Sequence, residues 1–411
     1  MTNCGKICVL VFVVQLLAVS AFGYSVLTHE QLVDMMWNAE LIPLMRARFP
    51  DISEAQLLEA HAYAYGGAVV PDMGYYPLGN PFFSNLVHYA RTGDFITEMI
   101  RQSETPDEYA FALGVLSHYM GDTVGHPGSV NQAVPIEYPK LRAKYGKYVT
   151  YDENTVDHLK IEFGFDMEEV ALHRYAPQQY HDYIGFQVSK SLLERVFPVV
   201  YGLPLQQVLP NEDLAIGTFR WSVSRAIPEM TQVALEIHKK DMIREDPTFS
   251  RRTFLYRLSK SDYKKDWGHD YRRPGLGARM LAWILRLMPK VGPFRALAFN
   301  NPTSQTENLY IQSINASFDQ YRAFLEAMRT DKLQLPNDDL DDGKPTHVGE
   351  YALADSIYAL WLAKLDAGRF SSTDIALRNN IEGFYAGAAV VPAPAVQADL
   401  AQLRAATVFS Y

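Results

Sequence analysis

Three residues near the middle of the chain recur at every fourth position: His118, Asp122 and His126, within Leu116-Ser-His-Tyr-Met-Gly-Asp-Thr-Val-Gly-His-Pro127. On an α-helix that interval stacks side chains on one face, one turn apart. An imidazole and a carboxylate so placed form a ready chelate for a divalent ion. Three in succession extend over roughly 12 Å of helix axis at about 1.5 Å per residue. A zinc–ligand bond is only about 2.0–2.2 Å. The row therefore points to more than one metal, with Asp122 in the middle able to bridge. Pro127 disfavours helix at His126 and places that residue at a frayed helix end. Taken alone, the row also fits a helix with two surface histidines and a capping aspartate.

A second pair at the same interval is His158-Leu-Lys-Ile-Glu162. With His126 it could complete a site of two imidazoles and a carboxylate; standing alone it fits a partly exposed helix pair equally well. Asp72 lies in Val-Val-Pro-Asp-Met-Gly and His88 in Asn-Leu-Val-His-Tyr-Ala. An aspartate in a Pro/Gly-rich stretch is commonly a turn former. A single histidine is commonly structural. Neither is specific by itself.

Residues 1–23 read as a secretory signal, with Lys6 in the positive region, an apolar run from Val9 to Val19, and Ala21-Phe-Gly23 as a cleavage site. The competing reading is an uncleaved membrane anchor. A cut after Gly23 would give Tyr24 a free α-amino group. Such an amine and its own carbonyl oxygen close a five-membered chelate ring on a metal, and His29 could complete that site. Both cysteines, Cys4 and Cys8, fall in this segment. The expected mature chain then has no disulfide, and its stability rests on core packing and bound metal.

The elements that must carry these residues read as helices. Apolar positions at helical spacing mark 28–47, and Asp51 and Ser53 precede a run over 54–65 ended by Gly66-Gly67. Residues 68–81 are rich in Gly and Pro and read as a loop; 81–89 leads into a histidine-bearing turn. Thr105-Pro-Asp-Glu108 is a strong helix start, opening an apolar, buried helix to Asp122. Residues 129–150 read as loop. Helical runs follow over 154–163, 166–171, 180–201 and 212–239. From Lys240 the texture changes, with charges and turn residues over 241–275 and an apolar helix over 277–287 carrying Arg279 and Arg286. That helix fits core packing with outward cations, or a lipid-docking surface. Residues 334–347 read as an acidic linker or exposed loop, and helices over 349–365, 373–386 and 395–406 end the chain. No strand alternation is present, so an all-α fold is expected.

The 411 residues suffice for one large or two ordinary domains. Hydrophobic residues make up 48% and charged residues 21%, which is globular rather than disordered composition. A net charge of −9 argues against a nucleic-acid groove, while leaving room for metal sites, which gather carboxylates.

The ordered set of Tyr24 as new N-terminus, His29, Pro-Asp72, His88, His118-x3-Asp122-x3-His126 and His158-x3-Glu162 resembles the zinc-dependent phospholipase C family, which shares its fold with P1-type nucleases. The resemblance covers roughly residues 24–165. It implies an all-helical bundle with three Zn2+ ions. One would be held by Asp72, His88 and His118 with Asp122 shared. Its paired ion would take the Tyr24 amine and carbonyl, His29 and Asp122. A separate ion would take His126, His158 and Glu162. Two features depart from the family: Tyr stands where the first residue is often Trp, and His126 follows Asp122 by four residues rather than six. The shorter interval is similar to that of the N-terminal domain of glycosylphosphatidylinositol-specific phospholipase D.

The resemblance implies a catalytic domain over 24–239 with a helical extension over 240–411 packed on it. The expected function is secreted, zinc-dependent phosphodiester hydrolysis on phospholipid headgroups, with Asp72 completing a metal shell or acting as base. Contact with a membrane surface is expected, and a stable nucleic-acid partner is not. Two alternatives stand. A single-strand nuclease would stack bases on aromatics such as Tyr75, Tyr76, Phe82 and Phe83 near the Asp72 loop. A zinc-binding helical protein would perform no turnover. The remaining histidines, including His61, His173, His181 and His347, receive no ligand role.

Overall fold

The computed structural model describes residues 26–171, 185–227, 299–386 and 391–407. Among them there is no strand, only an isolated bridge between Asp338 and Pro345, and the fold is all-α. From the N-terminal side come α1 (Val26–Met36), α2 (Ile42–Arg48), α3 (Glu54–Val69), α4 (Pro81–Tyr89), α5 (Thr92–Gln102) and α6 (Pro106–Gly125). Next are α7 (Asn131–Glu137), α8 (Pro139–Tyr145), α9 (Thr155–Ala171), α10 (Lys190–Tyr201), α11 (Leu205–Val208) and α12 (Glu212–Trp221). The C-terminal part supplies α13 (Ser304–Arg329), α14 (Ala352–Ala367), α15 (Ile375–Tyr385) and α16 (Pro394–Ala405). The expected signal over 1–23, Tyr24, His173, His181 and the helix over 277–287 lie outside the described residues.

Helix α6 starts where its sequence dictates. The Thr105 side chain accepts from the Glu108 N–H at 3.2 Å, and Pro106 fills the first helical position, where no N–H is needed. The helix is buried along most of its length, with α1, α3 and α13 packed on it. Helix α3 continues to Val69, straight through the Gly66-Gly67 pair read as its end. These glycines serve close approach. A Cβ on Gly67 would lie 2.0 Å from the Phe111 carbonyl oxygen, and one on Gly114 would lie 2.1 Å from that of Ala64.

Several stretches read as loop are ordered by burial. Residues 70–75 form a 3-10 turn that carries Asp72 into the interior, because Val70 and Met73 on the same turn are core residues. Pro81 opens α4, and the Asn80 side chain caps it by accepting from the Phe82 N–H at 3.1 Å. Residues 131–145 are helical because Val130, Ala133 and Val134 pack with Phe165 and Tyr310 in a small satellite core. Pro127 does not fray the chain. It sits in a π-type turn, His126–Val130, a wider turn that absorbs its missing N–H and runs on into α7. The acidic stretch over 334–347 is not an exposed linker, since Asp339, Leu340 and Asp341 are all buried.

The C-terminal helices share a core with the N-terminal ones. Leu340, Tyr351 and Trp361 belong to the same hydrophobic cluster as Phe83 and Phe197. The Trp361 indole N–H donates to the Tyr201 carbonyl at 2.8 Å, and α14 packs on α4. Among the described residues no helix is long and apolar enough to cross a membrane.

Candidate metal centre

Five separate elements bring His29, Asp72, His88, His118, Asp122 and His126 together in the interior. Asp122 is the hub. Its Oδ2 faces His118 Nε2 at 3.0 Å and His88 Nε2 at 3.6 Å; its Oδ1 faces His29 Nε2 at 3.3 Å and His126 Nε2 at 3.6 Å. Each oxygen thus meets its own pair of imidazoles, the arrangement of a carboxylate shared between two cations. Neither oxygen accepts a well-formed hydrogen bond, and the residue is fully buried. Asp72 Oδ1, also buried without a hydrogen bond, lies 3.4 Å from His88 Nε2. Ligand atoms of His29, His118 and Asp122, and of Asp72, His88 and His118, each lie within 4.8 Å of one another.

The outer nitrogens of the imidazoles settle their tautomers. His118 Nδ1 donates to the Ala68 carbonyl at 2.9 Å, and His88 Nδ1 donates to the Ser84 carbonyl at 2.8 Å. A carbonyl can only accept, so both Nδ1 atoms carry hydrogen and both Nε2 atoms of the neutral rings are bare lone pairs. These lone pairs face each other at 3.3 Å. Only a proton or a metal cation between them relieves that contact. His118 is accordingly drawn up to about 9 against the effect of burial, chiefly by Asp122 and then Asp72. Zinc accepts this donor set of imidazole nitrogens and carboxylate oxygens without adjustment of type.

The second cluster follows the same logic with different outer partners. His158 Nδ1 is 2.6 Å from Glu162 Oε1, while its Nε2 donates to Asn131 Oδ1 at 2.7 Å. The Asn131 amide nitrogen donates to the Asp341 carbonyl at 2.7 Å and to Tyr148 Oη at 3.0 Å, which fixes the orientation of the amide. Burial, reinforced by His126, pushes His158 down to about 3, so it is the neutral imidazole that a metal requires. Burial and the nearby Asp122 and Asp72 push the Glu162 carboxyl well above its ordinary range. A lone pair and a carboxylate oxygen so close again need a proton or a cation between them. His126 stands beside His158, its ring 5.1 Å from that ring, with Nδ1 donating to Asp341 Oδ1 at 2.6 Å.

Eight of the nine candidate ligands therefore occupy one buried region, and Tyr24 lies outside the described residues. The chain just after Tyr24 is tied to the site: Asp166, one turn beyond Glu162 on α9, accepts from the Leu27 and Thr28 N–H groups at 3.0 Å each. Sequence reasoning missed Asp341, which groups with His126 and His158, and Asn131. No local pattern marks either, although Asp341 stood in the run mistaken for a linker. The neighbouring Asp339, Asp342 and Glu350 also converge, but Lys344 Nζ meets Asp342 at 2.5 Å and Glu350 at 3.3 Å. His61 is structural, pairing with Asp34 and stacking on Trp37. His347 is at the surface.

Two tyrosine rings stand beside the clusters. Tyr75 lies 5.9 Å from the ring of His88, and Tyr151 lies 5.6 Å from that of His158. Burial and surrounding acidic groups hold both phenols well above their ordinary range, and the Tyr75 hydroxyl donates to Asn85 Oδ1 at 2.7 Å. Tyr76, Phe82 and Phe83 point into the core instead.

Residues 28–209 match the sequence profile of zinc-dependent phospholipase C. No curated protein and no solved structure matches the chain. The matched segment contains eight of the nine candidate ligands in the expected order, and it belongs to the zinc-dependent phospholipase C family.

Proposed function

We propose that the protein is a phosphodiester hydrolase of the phospholipase C type, working with three zinc ions on phospholipid headgroups at a membrane surface, after secretion and cleavage near Gly23. The observation that carries the reading is the double-sided environment of Asp122, with His118 and His88 at one carboxylate oxygen and His29 at the other. Paired zinc ions would supply Lewis acidity toward the phosphoryl group and a nucleophilic water at neutral pH. The Asp72, His88 and His118 group would hold one of the pair. His29, with the Tyr24 amine and carbonyl, would hold the other. His126, His158 and Glu162 would hold the third.

The residues divide the work of hydrolysis. Asp72 Oδ1 has no hydrogen bond and can complete a metal shell or take a proton from attacking water. An ion held by His126, His158 and Glu162 would supply positive charge toward the leaving oxygen. Water adds to phosphorus, the ester oxygen leaves, and a proton passes to that oxygen to give an alcohol and a phosphomonoester.

Two observations favour lipid over a single-stranded nucleic acid. Tyr76, Phe82 and Phe83 are turned into the core and offer no face for a base. On α12, Leu214 and Trp221 flank Thr218, whose hydroxyl bonds to the Pro77 carbonyl beside Leu78; Leu214, Trp221 and Leu78 are 50%, 42% and 49% exposed. Such apolar side chains suit a lipid surface.

The test is an assay of the purified protein, with and without chelator, on vesicles of phosphatidylcholine or phosphatidylinositol, on a glycosylphosphatidylinositol anchor and on single-stranded DNA. Chelator-sensitive release of a phosphorylated headgroup is expected. Faster cleavage of DNA would favour a nuclease, and bound zinc with no hydrolysis would leave a metal-binding protein without turnover.

A further inference from the structure

We propose that the loop over 335–351, which lies beyond the family segment, is a working part of the third metal subsite, with Asp341 as the positioning residue for His126. The inference rests on reading His126, His158 and Glu162 as that subsite. Asp341 is buried, and its Oδ1 accepts from His126 Nδ1 at 2.6 Å across 215 residues of chain. This contact turns His126 so that Nε2 faces Asp122 at 3.6 Å. A carboxylate behind a ligating imidazole fixes its tautomer and raises its basicity toward the metal. The Tyr351 hydroxyl donates to Asp341 Oδ2, so the carboxylate is itself held from behind.

The same residue reaches the other histidine of the subsite. The Asp341 carbonyl accepts from Asn131, and Asn131 Oδ1 holds His158 Nε2. One residue of the C-terminal part thus orients two imidazoles, one through its side chain and one through its backbone and Asn131.

The loop is seated for this task. The Leu340 N–H donates to the His88 carbonyl at 3.1 Å, and the Tyr119 hydroxyl donates to the Pro336 carbonyl at 2.9 Å. Gly343 has φ +70°, and a Cβ there would lie 2.5 Å from the Thr123 carbonyl oxygen, one residue after Asp122. Glycine lets the loop turn sharply and lie directly on α6.

The test compares wild-type full chain with Asp341→Ala, Asp341→Asn and Tyr351→Phe after zinc loading. Stepwise zinc release to a competing chelator is measured by elemental analysis, alongside the absorption spectrum of the cobalt-substituted protein. In Asp341→Ala one ion should leave at about 10- to 100-fold lower chelator while the others are kept. Asp341→Asn and Tyr351→Phe should show smaller shifts of that same ion. Common release of every ion would mean a merely structural role and would overturn the proposal. So would a wild-type release curve in Asp341→Ala or, if that variant does not fold by circular dichroism, in Asp341→Asn. A wild-type chain that takes up no zinc would sink the functional reading as well, so the two failures are distinguishable.

Discussion

The two halves of the candidate metal centre are built by different means. Around Asp72, His88 and His118 the outer hydrogen bonds go to main-chain carbonyls, those of Ser84 and Ala68. Around His126 and His158 they go to side chains, Asp341 and Asn131. A carbonyl inside a packed helix is there whatever its side chain; an aspartate 215 residues away is there only if its loop is. The first half is therefore insensitive to outer substitution and depends on the close crossing of α3 and α6. The second can be tuned by single side chains. Outer partners of ligating histidines typically change metal affinity by about 10- to 100-fold, and only the second half exposes that control to mutation.

Four substitutions would break or sharpen this contrast. The largest effect is expected for Asp122→Asn, which touches both pairs of imidazoles. Hydrolysis should fall on the order of a thousandfold or more, as when preorganised charge is removed from a transition state, and elemental analysis should show loss of the paired zinc. Full zinc and full activity would end the bridging role. His158→Ala comes next. One ion should be lost with the pair retained, and activity should fall on the order of a hundredfold. Joint loss of every ion would show that the halves do not load separately.

Gly67→Val acts on the scaffold. Its side chain meets the Phe111 carbonyl, and overpacking of this kind costs about 1–3 kcal/mol or more. Thermal unfolding should shift down, and zinc affinity should weaken first at the ion bound through His118, whose Nδ1 is held by the Ala68 carbonyl of α3. Equal weakening of the third ion would erase the distinction.

The smallest effect belongs to Arg195→Met, remote from both halves. Arg195 meets Glu108 Oε2 at 2.8 Å. Burial pushes the Glu108 carboxyl up, but the Glu104 N–H, Arg195 and Ser191 together hold it below its usual 4.5. A carboxylate depressed in the folded state contributes stability above its unfolded value, lost as pH falls through the folded value. The variant should therefore lose about 1 kcal/mol or less at neutral pH, with the difference fading under acid, and zinc release should be unchanged.

The readable and unreadable parts of the chain differ in the range of the forces involved. The His118, Asp122, His126 row was legible because helical periodicity is local, and Thr105 to Glu108 announced the helix that carries it. Helix α13 carries a periodic signal too, with Tyr310, Ile314, Tyr321 and Leu325 on its buried side, but no chemistry-bearing residue on it draws attention to the pattern. The Gly66-Gly67 pair was read by its usual local meaning, a helix stop, whereas its role depends on Phe111, forty-four residues away from Gly67. The acidic run over 338–342 has the composition of a solvated linker, and only packing against α6 reveals that Asp341 is buried.

The sequence by itself determined the all-α class, the helix that carries His118 and Asp122, the order of the candidate ligands and the donor chemistry suited to zinc, because residue type and spacing along one helix are local properties. Tertiary structure alone decided which oxygen of Asp122 meets which imidazole, which ring nitrogen is left bare and that Asp341 stands behind His126. Those facts depend on where distant segments come to rest once their apolar faces are buried together, and spacing along the chain carries no record of it.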